Sequence, residues 1–529
     1  MDVGADQLHQ AGLTGRGVTV AVIDSGVYFS LGMVATDNQE TALIFKGQAD
    51  FVGDGLCSGT GAPLSQFQRD GYCYYTYKGS ADGYGHGSHI AGIIGNRFRD
   101  TTTGTFLGIA PGAAILSVRV LGDDGIGTYE DVIQGIQYVV ENQSTLKVRV
   151  LNLSLSADAT TPYFVDPLNQ AVEQAWAAGI VVIAAAGNEG PGVEAITVPG
   201  NDPYVITVGA LNTKRTPGDW SDDILPTYSS TGPTLDGFAK PDVLAPGSGL
   251  VSFMFNSTAD LTHTAKLALQ HPDYSESTHL FRMSGTSMAA AVTSGVAALM
   301  IQQNDLLTPD QIKYRLKVSA RPATDQAGEP MYNLLQQGYG RIWAPDAISS
   351  TLSITGQDNV GLDINADLTH TDYASAADNA FHYQGPINQL ASPDGSVVLY
   401  YLFDANGTAV VLGVSQTSDR TWLSYNALTA PALTWTSLGI TSLSQADWLG
   451  GQPSSSKYSW NGFYTWDGKY SWNGKYSWNG KYSWNGTYSW DGKYSWNGKY
   501  SWNGSTIWQS GLDASSVAVS STHWVDDVP

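Results

Sequence analysis

The chain has 529 residues, of which 42% are hydrophobic and 14% charged, and its formal net charge is −22. A chain of this length holds two or three domains, and this composition belongs to a folded, loop-rich protein rather than a disordered one. The acidic balance argues against nucleic acid as a partner, and no apolar run reaches the length of a bilayer span.

From residue 17 to about 350, apolar strand-like runs alternate with helical patterns. The runs "VTVAVI" (18–23), "AAILSVRVL" (113–121), "VRVLNLSL" (148–155), "GIVVIAAAG" (179–187) and "YVITVGA" (204–210) predict strands buried on both faces. Between them, "TYEDVIQGIQYVVEN" and "FVDPLNQAVEQAWAAG" space their apolar residues as helices do. The alternation predicts an α/β domain over 1–350, a parallel sheet covered by helices on both faces. In such sheets the working residues stand at the carboxyl ends of the strands.

Four stretches carry reactive residues in suitable settings. "VTVAVIDSG" ends a buried strand on Asp24, a carboxylate that is costly to bury without a partner. "DGYGHGSHIAGIIG" sets His86 among glycines at the start of an apolar helix, where a neighbouring backbone can come close. "VVIAAAGNEGP" closes another strand with Asn188, whose amide can donate a hydrogen bond. "MSGTSMAAAVTSGVAALM" opens a small-residue helix on Ser287. A serine hydroxyl becomes a nucleophile only when a base takes its proton and a donor holds the developing charge, and the other three residues are of those types.

Taken in chain order, "VAVIDSGV", "GHGSHIAG", "AAAGNEG" and "SGTSMAA" resemble the subtilisin-like serine proteases over residues 1–350. The resemblance implies that Ser287 attacks the scissile carbonyl, His86 moves the proton and Asp24 orients the imidazole. It implies oxyanion donors from the Asn188 side chain and the Ser287 backbone N–H, the latter at a helix N-terminus. It implies that Gly125, Ile126 and Gly127 flank a peptide substrate on one side and Ser154, Leu155 and Ser156 on the other, with the peptide added as a strand. Ala185, Ala186 and Gly187 would wall the primary specificity pocket with that second segment. His89 reads as a structural histidine.

The sequence departs from the family pattern in places. Ser156 stands where glycine is usual, and Ala291 and Val292 follow "SGTSMAA" where proline and often histidine are usual. No cofactor is required for the chemistry. Structural calcium is common in the family, but no ligand set is matched here, and Asp50, Asp54 and Asp82 read as solvated loop carboxylates.

Cys57 and Cys73 bracket one polar loop; a disulfide is favoured over two free thiols and would place the protein in an oxidising compartment. No signal peptide is recognisable, which fits either a mature secreted form or a chain cut to begin at this point.

Residues 351–456 read as a β-rich accessory module, with "GSVVLYYLFDANGTAVVLGVSQ" as a hairpin about its "NG". Residues 457–504 are eight hexapeptides of the form "KYSWNG", carrying eight of the sixteen tryptophans, and 505–529 form a polar tail. Two-residue "NG" turns between four-residue strands would set each Trp opposite the Lys position of the next repeat, with a solenoid or disorder as rivals. Repeated Tyr and Trp suggest binding to a polysaccharide or other surface polymer.

The expectation is a secreted serine endopeptidase with protein or peptide substrates. The alternatives are a surface-binding or adhesive protein whose protease domain is degenerate or only self-processing, and an ester hydrolase using the same triad.

Overall fold

Continuous apolar runs can be buried on both faces only inside a layered fold, and the chain uses its runs in that way. The computed structural model describes residues 2–28, 32, 45–52, 68–69, 72–75, 81–216, 218–257, 264–324, 330–349, 356–369, 385–391, 395–403, 409–423, 483–484, 488–490, 494–495 and 518–521. Its first eleven strands are β1 (Thr19–Asp24), β2 (Phe45–Asp50), β3 (Gln68–Arg69), β4 (Tyr72–Tyr75), β5 (Ala114–Arg119), β6 (Ile126–Thr128), β7 (Val148–Leu153), β8 (Leu155–Ser156), β9 (Val181–Ala185), β10 (Ile206–Leu211) and β11 (Val243–Pro246). Nine of them form one sheet in the order β11-β10-β9-β7-β1-β5-β2-β4-β3. The seven strands from β11 to β2 run parallel, and β4 and β3 add an antiparallel edge.

The first six α-helices are α1 (Ala5–Gln10), α2 (His86–Gly95), α3 (Tyr129–Leu146), α4 (Pro167–Ala177), α5 (Lys266–Gln270) and α6 (Thr286–Gln303). One layer pairs α3 with α4 against β1, β7 and β9; the other pairs α2 with α6 against β1, β7, β9 and β10. Local sequence explains where they begin. Thr128 and Asp131 form a reciprocal capping box for α3, while Asp166 accepts from the amides of Leu168 and Asn169 and Pro167 takes the first turn of α4. In α6 every residue from Thr286 through Ile301 is buried, and the run of alanines lets it lie close to the sheet. Ala291, where the family pattern has proline, is an ordinary helical position within it.

A small antiparallel sheet, β12 (Leu250–Phe253), β13 (Ser275–Ser277) and β14 (Leu280–Met283), packs on α2 through β12. Later strands β15 (Asn388–Ala391), β16 (Val397–Phe403) and β17 (Ala409–Gln416) form a second antiparallel sheet, with β16 and β17 on either side of the "NG". That sheet lies against the catalytic-type domain: Trp422 donates to Thr231 Oγ1 (2.8 Å), Arg420 to Glu194 (3.0 Å), and Tyr400 and Ile387 bury themselves with Val193 and Leu335.

Within the hexapeptides, β18 (Ser483–Trp484), β19 (Tyr488–Trp490) and β20 (Tyr494–Ser495) pair antiparallel. The register differs from the one a two-residue turn dictates. Trp484 stands opposite Tyr488 and Ser483 opposite Ser489, so three positions separate the paired strands, the next most favoured hairpin length. The other repeats lie outside the described residues, as do Cys57 and Asp54; Cys73 falls on β4. A last strand, β21 (Ala518–Ser521), inserts between β6 and β8.

Candidate active site

Parallel strands that end side by side bring their carboxyl ends to one edge, and β1, β7 and β9 are consecutive neighbours. Asp24 is the last residue of β1, Ser154 follows β7 and Asn188 lies just past β9. Helices α2 and α6, packed on each other over this part of the sheet, present His86 and Ser287 from their first turns.

Asp24 is fully buried, and His86 is buried at 2% exposure. Nδ1 of His86 donates to both Asp24 carboxylate oxygens, at 2.8 and 2.9 Å, and the Ser25 amide adds a 2.7 Å bond to Oδ1. A proton committed to Nδ1 leaves the Nε2 lone pair as the base of the ring. The carboxylate meets its burial cost through those donors.

Ser287 is joined to the end of β7 twice. Its Oγ donates to the Ser154 carbonyl (3.3 Å), and Ser154 Oγ donates to the Ser287 carbonyl (3.0 Å). Asn188 is held with equal definition. Its Oδ1 accepts from the Thr286 amide (3.0 Å) and the Thr286 hydroxyl (2.9 Å), so two donors fix the flip of the amide and commit its NH₂ to the other side. Thr286 also accepts from the Gly187 amide at 3.2 Å, which ties the loop after β9 to the start of α6.

Asp82 is buried, not solvated as its loop position suggests. It accepts from Ser25 Oγ (2.9 Å), the Gly85 amide (2.7 Å), the Ser88 amide (2.8 Å) and Ser88 Oγ (2.7 Å). Burial pushes its carboxyl up, and the bonds from Ser88 and Gly85 pull it back. Ser25 Oγ in turn accepts from the Gly87 amide at 3.0 Å. The residue after Asp24 and the residues around His86 are thereby cross-linked. Close approach demands a glycine here: a Cβ on Gly87 would sit 2.0 Å from the Gly26 carbonyl oxygen and 3.1 Å from the Asp24 Cβ.

Asp50 is likewise buried rather than solvated. Arg119 Nη1 donates to both its oxygens (3.2 and 3.1 Å), and Arg119 Nη2 reaches Asp123 at 3.1 Å. His89 is a structural ring. Its Nε2 donates to the carbonyls of Phe281 (3.0 Å) and Leu250 (3.1 Å), and burial, with His86 nearby, pushes its pKa down to about 3. Among the described residues no three His, Cys, Asp or Glu side chains converge as a metal cradle.

Gly125, Ile126 and Gly127 lie along one side of β21, and Leu155 and Ser156 along the other, with Ser154 just beyond. Ala185 and Ala186 are fully buried at the end of β9, and the Gly187 carbonyl accepts from the Ser230 amide at 3.0 Å. The Ala157–Val198 bridge links the strand beyond Ser156 to the segment whose Thr197 amide donates to Ala186.

Residues 15–340 match the model of the subtilase family. The chain belongs to the subtilase family. It is 38% identical over 312 residues to serine protease AprX of Bacillus subtilis, a match covering 58% of this chain and 61% of that protein. It is 32% identical over 352 residues to pyrolysin of Pyrococcus furiosus, covering 55% of this chain and 23% of that one. Subtilisin DY of Bacillus licheniformis is 30% identical over 320 residues, covering 60% of this chain and 89% of the relative. The chain thus spans less than two thirds of AprX and pyrolysin, and nearly all of the shorter subtilisin. The subtilase match ends before the β15–β17 sheet, the hexapeptides and β21 begin.

The sequence reads Asp82 as solvated and gives Ser25 and Thr286 no role of their own. Asp82 and Ser25 sit inside or beside the quoted motifs, and a polar residue wedged between a strand end and a glycine-flanked histidine was the available signal.

Proposed function

We propose that the protein is a serine endopeptidase that hydrolyses peptide bonds through Asp24, His86 and Ser287. The observation that carries this reading is the His86–Asp24 pair, with its proton held on Nδ1, in the same edge of the fold as Ser287 and Asn188.

Ser287 Oγ attacks the scissile carbonyl while His86 Nε2 takes its proton, and Asp24 stabilises the imidazolium that results. The negative charge on the carbonyl oxygen is received by the Asn188 NH₂, pre-aimed by Thr286, and by the Ser287 amide at the start of α6. His86 then delivers the proton to the leaving amine, and water repeats the sequence to release the acyl group. The substrate chain lies extended between 125–127 and 154–156, so that main-chain bonds bind it and side-chain pockets select it. Ala185, Ala186 and Gly187 stand where the pocket before the cut is expected.

An extracellular setting belongs to the proposal, supported by the acidic composition and the favoured disulfide between Cys57 and Cys73. No helix among the described residues is long and apolar enough to cross a membrane. Binding of a surface polymer by the hexapeptides is supported by a Tyr and a Trp in every repeat.

The test is a fluorophosphonate label together with a protein substrate. Stoichiometric labelling and hydrolysis, both abolished by Ser287→Ala in a folded protein, are expected. Absence of both in the folded parent and in folded variants that displace β21 overturns the reading.

A further inference from the structure

The slot between β6 and β8 is filled by the chain itself. Strand β21 pairs antiparallel on both its edges: Ala518 faces Thr128, Val519 faces Gly127, Ser520 faces Ile126 and also Ser156, and Ser521 faces Leu155. The sheet order β6-β21-β8 means that the two segments meet only through this strand. We propose that residues 518–521 form an internal cap that occupies the peptide slot as a substrate would and keeps the protease latent until the strand leaves. The proposal rests on the serine-peptidase reading above.

Direction and register carry the argument. Moving from Ser520 to Ser521 steps the partner from Ser156 to Leu155, so the strand advances toward Ser154. Ser154 is the residue whose carbonyl receives the Ser287 hydroxyl at 3.3 Å. A peptide in this orientation leads its backbone to the nucleophile. Its fit is also that of a bound peptide. The Ser521 amide donates to the Gly125 carbonyl at 3.0 Å, and the Ser521 hydroxyl donates to the same oxygen at 3.4 Å. Burial alternates along the strand: Val519 and Ser521 are buried, Ala518 is exposed and Ser520 half-buried, as a strand with two specificity positions requires. Val519 joins the core of the catalytic domain with no exposed surface, and Ser287 exposes none either. A second peptide cannot add a strand where one is already paired on both edges. Tethering makes the competition intramolecular, so the cap competes at an effective concentration that dilution of the protein does not lower.

Two variants of the full chain test this. Val519→Asp puts a charge in the buried position, and Ser520→Pro removes a ladder donor at the half-buried position without touching the core. Intact mass first verifies that residues 518–521 are still attached in every protein compared. In a Ser287→Ala background, amide exchange over 125–128 and 155–156 should quicken in both variants. In the active proteins, the rate of fluorophosphonate labelling should rise at least about ten-fold, and KM for a short peptide should fall by a similar factor. A synthetic peptide of residues 515–522 should then inhibit Ser520→Pro competitively. Exchange and labelling unchanged from the parent would overturn the cap while leaving the protease reading intact. Lower activity with earlier melting in both variants would show β21 to be a structural strand and also overturn the cap. Labelling of none of the folded proteins would overturn the protease reading, and the cap with it.

Discussion

Ser25 donates its hydroxyl to Asp82 across 2.9 Å, and that bond makes the end of β1 and the first turn of α2 a single unit. Asp82 holds the turn with three further bonds, from the Gly85 amide and from both donors of Ser88. It is therefore a positioning residue for the Asp24–His86 pair. Asp82→Ala should destabilise the protein by at least about 2 kcal/mol, because four buried donors lose their acceptor. In the fraction that remains folded, kcat should fall by up to about 100-fold with KM nearly unchanged, the signature of a misplaced base. Chemical denaturation and steady-state kinetics check both parts.

Asn188 can serve as an oxyanion donor only while Thr286 occupies its oxygen. Asn188→Ala should lower kcat by about 10²–10³-fold, with KM moving little. Thr286→Val keeps the backbone donor but loses the hydroxyl that lies 2.9 Å from Asn188 Oδ1, so a smaller loss in the same parameter is expected. A change confined to KM in either variant would assign these residues to ground-state binding instead.

Gly87 has no room for a side chain. A methyl group there meets the Gly26 carbonyl at 2.0 Å, which is backbone and cannot rotate away. Gly87→Ala should cost about 1–3 kcal/mol or more and lower activity even at temperatures where the protein is folded. Melting followed by circular dichroism, with a parallel activity assay, separates the two effects.

Asp236 gives a pH signature away from the site. Burial holds its carboxyl up at about 8 from an ordinary 3.8, against the pull of the Tyr163 amide that it accepts at 2.9 Å. The folded protein binds this proton more tightly than the unfolded chain does. Its stabilising contribution is whole below 3.8 and is lost as the pH climbs through 8. Asp236→Asn carries no charge at any pH and should flatten that decline. Urea midpoints measured from about pH 5 to pH 9, in a Ser287→Ala background to prevent autolysis, supply the comparison.

The parallel sheet and the gathering of Asp24, His86, Asn188 and Ser287 toward one edge were legible because their signals are local. The predicted run at 148–155 becomes β7 with Ser154 just beyond it, and "TYEDVIQGIQYVVEN" becomes α3 behind a Thr128 cap. Burial of Asp50 and Asp82 was not legible, because it depends on Arg119 in one case and on Ser25 and Ser88 in the other. Those partners are brought in by sheet register and by a turn, not by any pattern around the aspartates. The same holds for β21. Four residues, "AVSS", in a polar stretch have no strand signal of their own; two edges some 400 positions earlier in the chain make them a strand. In the hexapeptides "NG" pointed to a hairpin, but the pairing leaves three positions between the strands, one more than that dipeptide alone dictates.

Helix α6 begins with the turn that holds Ser287, is buried from Thr286 through Ile301, and touches β7, β9, β10 and β11. No hinge separates Ser287 from the middle of the domain. Heat inactivation and global melting should accordingly trace one curve, and the turnover left in an aged sample would count its surviving native molecules.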